Sequence, residues 1–462
     1  MRERFQSACG GRGPALLLAV VFALGLGLRL DCAIRAPQEP VDDARAYSRI
    51  AHSLYEGEGF TQGTGPDTRH LQSASNYTPG LPLLTAGIYE LRRAPDEETA
   101  RIVLALLSSL AIPLAFFLGK RLGGPSAGLL AAVPTAIYPV LLEYSGMLMT
   151  EPVGTALLAA TILAFLWATD KAPPPQPPPD AKRRRWRPDS QRPGAAWCLA
   201  GLLLGAMAML RPEYAILIVV LPGIALLRLR HGEGTQWRRL APAALMAACA
   251  CLVILPWTIR NFVVFDRFVP LSTGGGQVLY QGSYVPAGPD PERMGPVFLD
   301  RHPWIRRELA PQPGPIYRGQ AVALLAERLH PGEDTDTALR GMALDAYADT
   351  ATEEPLRLTG FLAGKVWLAW TSPARGVMRA PLWRALQLAL LLAAAVGLVV
   401  GLLRRSFEAI VLGALFLAVT LVQATFIASP RRTLMLLPEI SALAGLGLTW
   451  AIARARRGSL PP

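Results

Sequence analysis

The sequence predicts an all-α integral membrane protein, a polytopic bundle of about ten transmembrane helices with further helices lying at its outer surface. Three observations carry this reading. The 462 residues are 52% hydrophobic and only 17% charged, with a mean hydropathy of +0.31, which exceeds what a soluble core of that length can hide. Apolar stretches of spanning length recur along the chain. Lysine and arginine then crowd every second connection between those stretches.

Taken in order, the candidate spans cover 14–34, 99–118, 125–142, 152–168, 195–210, 214–227 and 240–257. After a long gap come 382–403, 407–427 and 434–452. A spanning helix needs roughly 20 mostly apolar residues, so the two short segments flanking Arg211 read as a bent hairpin with a polar tip at the outer interface. Basic residues precede the first span, but its apolar run is long and lacks a clear small-residue cleavage site, so it is expected to stay as an anchor.

Short connections rich in lysine and arginine stay cytoplasmic. Arg2, Arg4, Arg12, Lys120, Arg121, the run from Lys182 to Arg187, Arg228, Arg230, Arg404, Arg405 and the tail from Arg454 to Arg457 all fall on one side if both termini are cytoplasmic. The loop 35–98 and the segment 260–381 then face outward. The net charge of +12 therefore reports topology rather than nucleic-acid binding, though the basic loop also suits anionic lipid heads. Three regions follow: an N-terminal membrane module over 1–258, a long outer segment over 259–381, and C-terminal spans with a basic tail over 382–462. Within the first region, 169–195 contains six prolines between Pro173 and Pro179 followed by arginines, an extended linker without a core. The five cysteines lie in or beside spans or on the tail, without disulfide or zinc spacing. Gly274 to Gly276 read as a flexible outer turn rather than a phosphate loop, because no strand-to-helix context surrounds them.

Chemistry concentrates in the first outer loop. From Asp43 onward, Ala46, Tyr47, Ile50 and Leu54 form a helical stripe suited to lying on the membrane interface. Asp42 and Asp43 open that helix, where its dipole favours negative charge. One aspartate there serves as an N-cap; two exceed capping needs and suit a general base or oxygen ligands for a divalent cation. His52 and Glu56 also stand four apart, but without a third ligand nearby they read as a solvated helix face. On the same outer side, Arg260, Arg431 and Arg432 depart from the inward placement of the other basic residues.

Several stretches resemble the polytopic glycosyltransferases of the GT-C fold, in particular the bacterial family 39 and lipid A aminoarabinose transferase-like branch. They are Asp43-Ala-Arg-Ala-Tyr47 with Gly57, Gly59 and Phe60; Asn76-Tyr-Thr-Pro-Gly-Leu-Pro-Leu-Leu84; and Tyr144 through Glu151-Pro152. Leu210-Arg-Pro-Glu-Tyr214, Leu255-Pro-Trp-Thr-Ile-Arg-Asn261 and Ser429 through Pro438 continue the likeness, which touches most of the membrane-embedded chain.

The resemblance implies an inverting sugar transfer from a polyprenyl-phosphate donor to a glycan, lipid or protein acceptor, at the extracytoplasmic face of a bacterial inner membrane. It puts the base on Asp43, with Asp42 as neighbour or substitute and Glu151 as a second acid lining the cavity; Glu143 and Glu213 are weaker candidates. Tyr47, Arg211, Arg260, Arg431 and Arg432 are the expected substrate-binding residues, arginine suiting a lipid phosphate through its forked donors. No cofactor is required, and a divalent cation stays open. The outer segment is expected to form a cap with helices over 337–351 and 361–370, the second anchored by Trp367 and Trp370. The chain lacks the Trp-Trp-Asp motif of oligosaccharyltransferases, and nothing after Ile452 reads as a soluble domain, so transfer to asparagine is disfavoured. A transporter or flippase of a lipid-linked sugar is the alternative from another class; against it stand the absent internal repeat and the acids at the outer rim, with Glu439 the exception.

Overall fold

The computed structural model describes residues 12–37, 42–61, 76–171, 193–229, 236–310 and 316–458, and every regular element among them is helical. The first part of the chain gives α1 (Arg12–Arg35), α2 (Asp42–Tyr55), α3 (Gly80–Arg92), α4 (Glu97–Ser109), α5 (Ala111–Ile137), α6 (Pro139–Ser145) and α7 (Thr150–Lys171). Then come α8 (Pro193–Leu210), a 3-10 turn (Pro212–Ile216), α9 (Leu217–Leu229) and α10 (Gln236–Phe265). The outer segment holds α11 (Gly275–Ser283), α12 (Pro291–Arg301), α13 (Pro303–Leu309), α14 (Arg318–Leu329), α15 (Thr335–Glu353) and α16 (Pro355–Thr371). The chain closes with α17 (Pro381–Leu403), α18 (Phe407–Thr425), α19 (Pro430–Leu434) and α20 (Leu437–Gly458).

Among the described residues six helical stretches are long and apolar enough to cross a membrane, the longest running from Glu97 to Ile137. That stretch is two passes. Inside α5, Gly123 and Gly124 leave helical geometry, Gly124 at a φ of 83° that only glycine adopts without strain. The two arms fold back so closely that Gly119 lies under the Ala127 carbonyl. The sequence expectation of separate spans over 99–118 and 125–142 therefore agrees with the hairpin. The remaining expected passes are shorter or more polar: α8 and α9 are short, and α20 carries Glu439, Arg454 and Arg456. A central core of Phe165, Trp197, Met207, Tyr214, Leu415 and Leu443 joins α7, α8, α9, α18 and α20. The linker prolines and the arginine run from Lys182 lie outside the described residues.

A buried arginine inside the bundle accompanies a break in it. Arg29 of α1 is fully buried. Its guanidinium donates to the carbonyls of Thr135 (2.7 Å), Ala136 (2.9 Å) and Gly25 (3.0 Å) and to the Ser108 hydroxyl (3.1 Å). The Thr135 carbonyl would ordinarily bond the amide four residues on, but that residue is Pro139, which has none. Arg29 supplies the missing donor, and in a water-free interior an orphaned carbonyl is expensive.

The outer segment has its own small core of Leu279, Met294, Phe298, Ile305, Leu325 and Leu339. The expected helices over 337–351 and 361–370 are the central parts of α15 and α16. Gly274 is not a free turn; at a φ of 88° it starts α11, whose Gly276 amide donates to Asp336 of α15 at 2.7 Å. Lys365 of α16 is buried and ties the cap together, donating to the Gly282 carbonyl at 2.7 Å and facing the Tyr347 hydroxyl at 3.2 Å, with the Thr425 carbonyl of α18 at 3.5 Å.

Two sequence expectations are corrected here. The stripe of α2 is covered by protein instead of lying on the membrane: Tyr47 packs with Leu81 of α3, Ile50 packs with Phe60 and with Trp257 of α10, and Ala46 is buried too, since these apolar side chains gain by leaving water. Helix α10 continues past Arg260 to Phe265, since Phe262, Val263 and Val264 extend its apolar exposed surface.

Replacing Arg29 with leucine is expected to destabilise the protein by more than about 2 kcal/mol, because it unpartners buried carbonyls. Denaturant titration in detergent measures this, and an unchanged midpoint would refute the capping role.

Candidate active site

Three prolines shape the site before any charge is considered. Pro212 forces Arg211 into extended geometry (φ −146°, ψ 112°), ending α8 and turning the arginine toward the start of α7. Pro430 does the same to Ser429 (φ −145°, ψ 116°) and opens the short α19 that carries Arg431 and Arg432. Pro79 precedes Gly80, where a side chain would meet the Met209 carbonyl at 2.7 Å, so α3 docks directly on the end of α8. Thr78 completes that contact by donating to the Leu210 carbonyl at 2.9 Å.

Glu151, in the first turn of α7, is fully buried. One of its oxygens accepts from Arg211 Nη2 and from Arg431 Nε, both at 2.6 Å. Arg431 extends a second nitrogen to Asp43 at 2.9 Å. Arg211 also donates to the Thr150 hydroxyl at 2.7 Å and faces Glu213 at 3.7 Å, and Glu213 in turn lies 3.4 Å from Arg432. Three carboxylates and three guanidinium groups thus alternate along one chain, Asp43, Arg431, Glu151, Arg211, Glu213 and Arg432. Isolated charges would not survive at this depth; alternation is what permits them.

The sequence singled out five of these six as candidates, and Glu213 as a weaker one. The structure brings them together from α2, α7, the 3-10 turn and α19, although they are spread over some 390 positions of sequence. Tyr47 lies one turn beyond Asp43, buried and edge-on to Tyr77 at 5.4 Å. Asp42 is the first residue of α2, and its side chain lies outside the described residues. Arg260 is placed differently from the alternating chain: its guanidinium stacks over Trp257 at 4.9 Å and near Phe60 and Phe265. His52 and Glu56 face each other at 3.8 Å, without a third metal-ligating side chain among the described residues.

Burial works against the charge of both Arg211 and Arg431, yet Glu151 together with Glu213 or Asp43 outweighs it and holds each pKa above the ordinary value. Arg432 goes the other way: burial lowers it more than Glu213 restores. Its role is structural as well, for it bonds the Gln423 side chain at 3.2 Å and the Ile427 carbonyl, while Gln423 accepts from the Ser429 amide at 3.0 Å. Tyr214 adds a bond from its hydroxyl to the Arg432 carbonyl at 2.8 Å.

Sequence reasoning missed Arg375. It pairs with Glu143 and lies over the Tyr144 ring at 5.4 Å, with Arg431 near the same ring at 5.9 Å. It was hidden in the long outer segment, where a further outward arginine was the available signal. Also unforeseen is a groove of about 340 Å³ between α16, α17, α18 and α20, almost wholly apolar, lined by Trp367, Trp370, Ala395, Leu398 and Phe416. It shares Trp370, Leu391 and Ile440 with a narrow crevice that reaches Pro430 and Thr433, on either side of Arg431.

One donor of the site is unused: the Arg431 Nη2 is buried without a hydrogen-bond partner among the described residues. A neutral cluster with one idle guanidinium nitrogen, on a helix whose Pro430 and Thr433 line the crevice beside an apolar groove, is equipped to receive an anion attached to a hydrocarbon chain.

Residues 76–175 match the family described as dolichyl-phosphate-mannose-protein mannosyltransferase. No curated protein sequence matches the chain. Among solved structures, the oligosaccharyltransferase AglB from Archaeoglobus fulgidus, in complex with an inhibitory peptide and a dolichol-phosphate, superposes with a TM-score of 0.54 at 17% identity, over 96% of this chain and 52% of that one. Its apo form gives a TM-score of 0.56 at 15% identity, over 96% and 51%. ArnT from Cupriavidus metallidurans bound to undecaprenyl phosphate aligns over 97% of this chain and 81% of that one at 16% identity, with a TM-score of 0.36, too low to inform the fold. The chain has the GT-C fold of polytopic membrane glycosyltransferases and spans about half the length of the archaeal enzyme.

Substituting Glu151 with alanine is expected to cost about 3–5 kcal/mol, since it strands two buried guanidinium groups. A thermal melt in detergent would register this, whereas a shift no larger than that of the exposed Arg405→Ala would contradict the account of the alternating charges.

Proposed function

We propose that the protein transfers a sugar from a polyprenyl-phosphate donor to an acceptor hydroxyl or amine at the extracytoplasmic face of the membrane, by a single inverting displacement. The observation that supports this most is Arg431, which touches Asp43 and Glu151, keeps an idle buried nitrogen, and belongs to the short α19 whose Pro430 and Thr433 line the crevice that continues the apolar groove. The family described for residues 76–175 and the dolichol-phosphate held by the archaeal relative agree with a polyprenyl-phosphate donor.

In this reading the hydrocarbon tail lies in the groove between α16, α17, α18 and α20 and the phosphate meets Arg431. The acceptor oxygen or nitrogen attacks the anomeric carbon from the face opposite the phosphate. Asp43 takes the proton of the acceptor as the new bond forms. The bond from the anomeric carbon to the phosphate oxygen breaks with its electron pair, and polyprenyl phosphate leaves. The leaving group is a weak base, so a fixed cation at the departing oxygen suffices and no strong acid is needed. Glu151, saturated by two arginines, is suited to aiming Arg431 rather than to proton transfer. Asp42 stands next to the base as its neighbour, and the outer cap over the site suits acceptor choice. Metal dependence is tested by adding chelator to the same assay.

Purified protein given a panel of polyprenyl-phosphate sugars is expected to transfer one of them. Asp43→Asn is expected to lower kcat by roughly 10²–10⁴ while the protein still binds donor; turnover near wild type would remove Asp43 as base. Within the groove, Ala395→Phe is expected to raise the KM of a long-chain donor and leave that of a two-isoprene donor unchanged. Equal effects on both would dissociate the groove from the tail. Movement of intact lipid-linked sugar across a vesicle membrane without transfer would favour a flippase instead.

A further inference from the structure

A second cavity, of about 550 Å³, lies at the far end of the bundle. Helix α7 runs from Glu151 at the proposed active site to Asp170, about 30 Å away at the helical rise. Asp170 belongs with Arg121 and Glu408, which define this end. The cavity opens between the α5 hairpin, the end of α17 and the last turns of α20. Gly123, Arg404, Leu446, Thr449, Trp450 and Arg454 line it.

Its charge is unbalanced. Arg121, just outside, is neutralised by Asp170 at 2.8 Å and Glu408 at 3.0 Å. Arg404 and Arg454 have no carboxylate partner among the described residues, and no acidic residue lines the cavity. Arg454 rests near the Trp450 ring at 5.8 Å, an aromatic where a membrane interface is expected to hold one. Immediately beside the cavity the surface turns apolar: Leu448 and Ile452 stand one position round α20 from Thr449 and Ala453, and with Leu403 they are exposed. Two guanidinium groups in a recess, adjoining an exposed aliphatic strip, match a molecule that is anionic at its head and aliphatic below.

We propose that this cavity binds the headgroup of an anionic phospholipid, with Arg404 and Arg454 on its phosphate, Trp450 against the glycerol region and the acyl chains on Leu403, Leu448 and Ile452. The site is separate from the proposed sugar-transfer centre, and a free phosphate would leave the aliphatic strip unused. Because the lipid joins α5, α17 and α20, it braces the end of the helix that begins just after Arg431.

Native mass spectrometry of the full chain in detergent, titrated with phosphatidylglycerol or phosphatidylcholine, tests this. Wild type is expected to retain phosphatidylglycerol preferentially, and Arg404→Gln with Arg454→Gln to lose that preference by roughly thirty-fold. Thr449→Trp, which fills the cavity without changing charge, is expected to lose it as well, while Arg405→Gln, outside the lining, keeps it. Equal retention of both lipids by wild type would overturn the proposal, as would equal loss in Arg405→Gln, which would reduce the effect to diffuse charge. Complete displacement of phosphatidylglycerol by millimolar inorganic phosphate would make the cavity a simple anion site and overturn it too. Should the double arginine variant fail to fold, Thr449→Trp and the lipid preference of wild type still decide.

Discussion

The carboxylate of Glu151, clasped by Arg211 and Arg431, is the contact on which the rest of the site depends. It is fully buried at the start of α7, where water cannot solvate it. Two guanidinium nitrogens at 2.6 Å compensate that loss, and in doing so they fix three chain segments relative to each other: the start of α7, the bend after α8 and the short α19. Arg431 then has only limited freedom: a second nitrogen meets Asp43 at 2.9 Å and the third is buried without a partner among the described residues. The extended backbone at Arg211 and Ser429, each imposed by a following proline, delivers both arginines to one carboxylate.

Charge alternation also explains how the site can hold six ionised groups and yet accept another anion. Without donor the cluster is balanced, three against three. In the proposed reading a phosphate at Arg431 competes with Asp43 for the charge of the same guanidinium, which links donor binding to release of the base through one side chain. The crevice that continues the apolar groove reaches α19 at Pro430 and Thr433, so in the proposed reading the boundary between hydrocarbon and charge falls there. A similar economy appears deeper in the bundle, where Arg29 fills the donor vacancy that Pro139 creates.

Much of this was legible in the sequence, and the parts that were not have physical causes. Repeated apolar stretches marked the long helices, including the two arms on either side of Gly123 and Gly124. The expected outward placement marked Arg260, Arg431 and Arg432, the paired aspartates marked Asp43, and the family resemblance marked Arg211. Pairing was not legible, because contacts between α2, α7 and α19 join positions hundreds of residues apart. Helix α2 illustrates a different limit: its amphipathic stripe states that one face is covered but not by what, and the cover is α3 and α10 rather than lipid. Arg375 lay in a turn-rich stretch without periodic signal, and Lys365 in the expected helix over 361–370, where only the three-dimensional structure shows that the lysine is buried.

The central claim is that Arg431 is shared between a base and a lipid phosphate, and equilibrium binding of polyprenyl phosphate, without sugar, tests it most directly. Removing the competing carboxylate in Asp43→Asn is predicted to tighten binding, and removing the shared cation in Arg431→Gln to weaken it at least tenfold, the equivalent of about 1.4 kcal/mol. Weaker binding in Asp43→Asn, or unchanged binding in Arg431→Gln, would contradict the account.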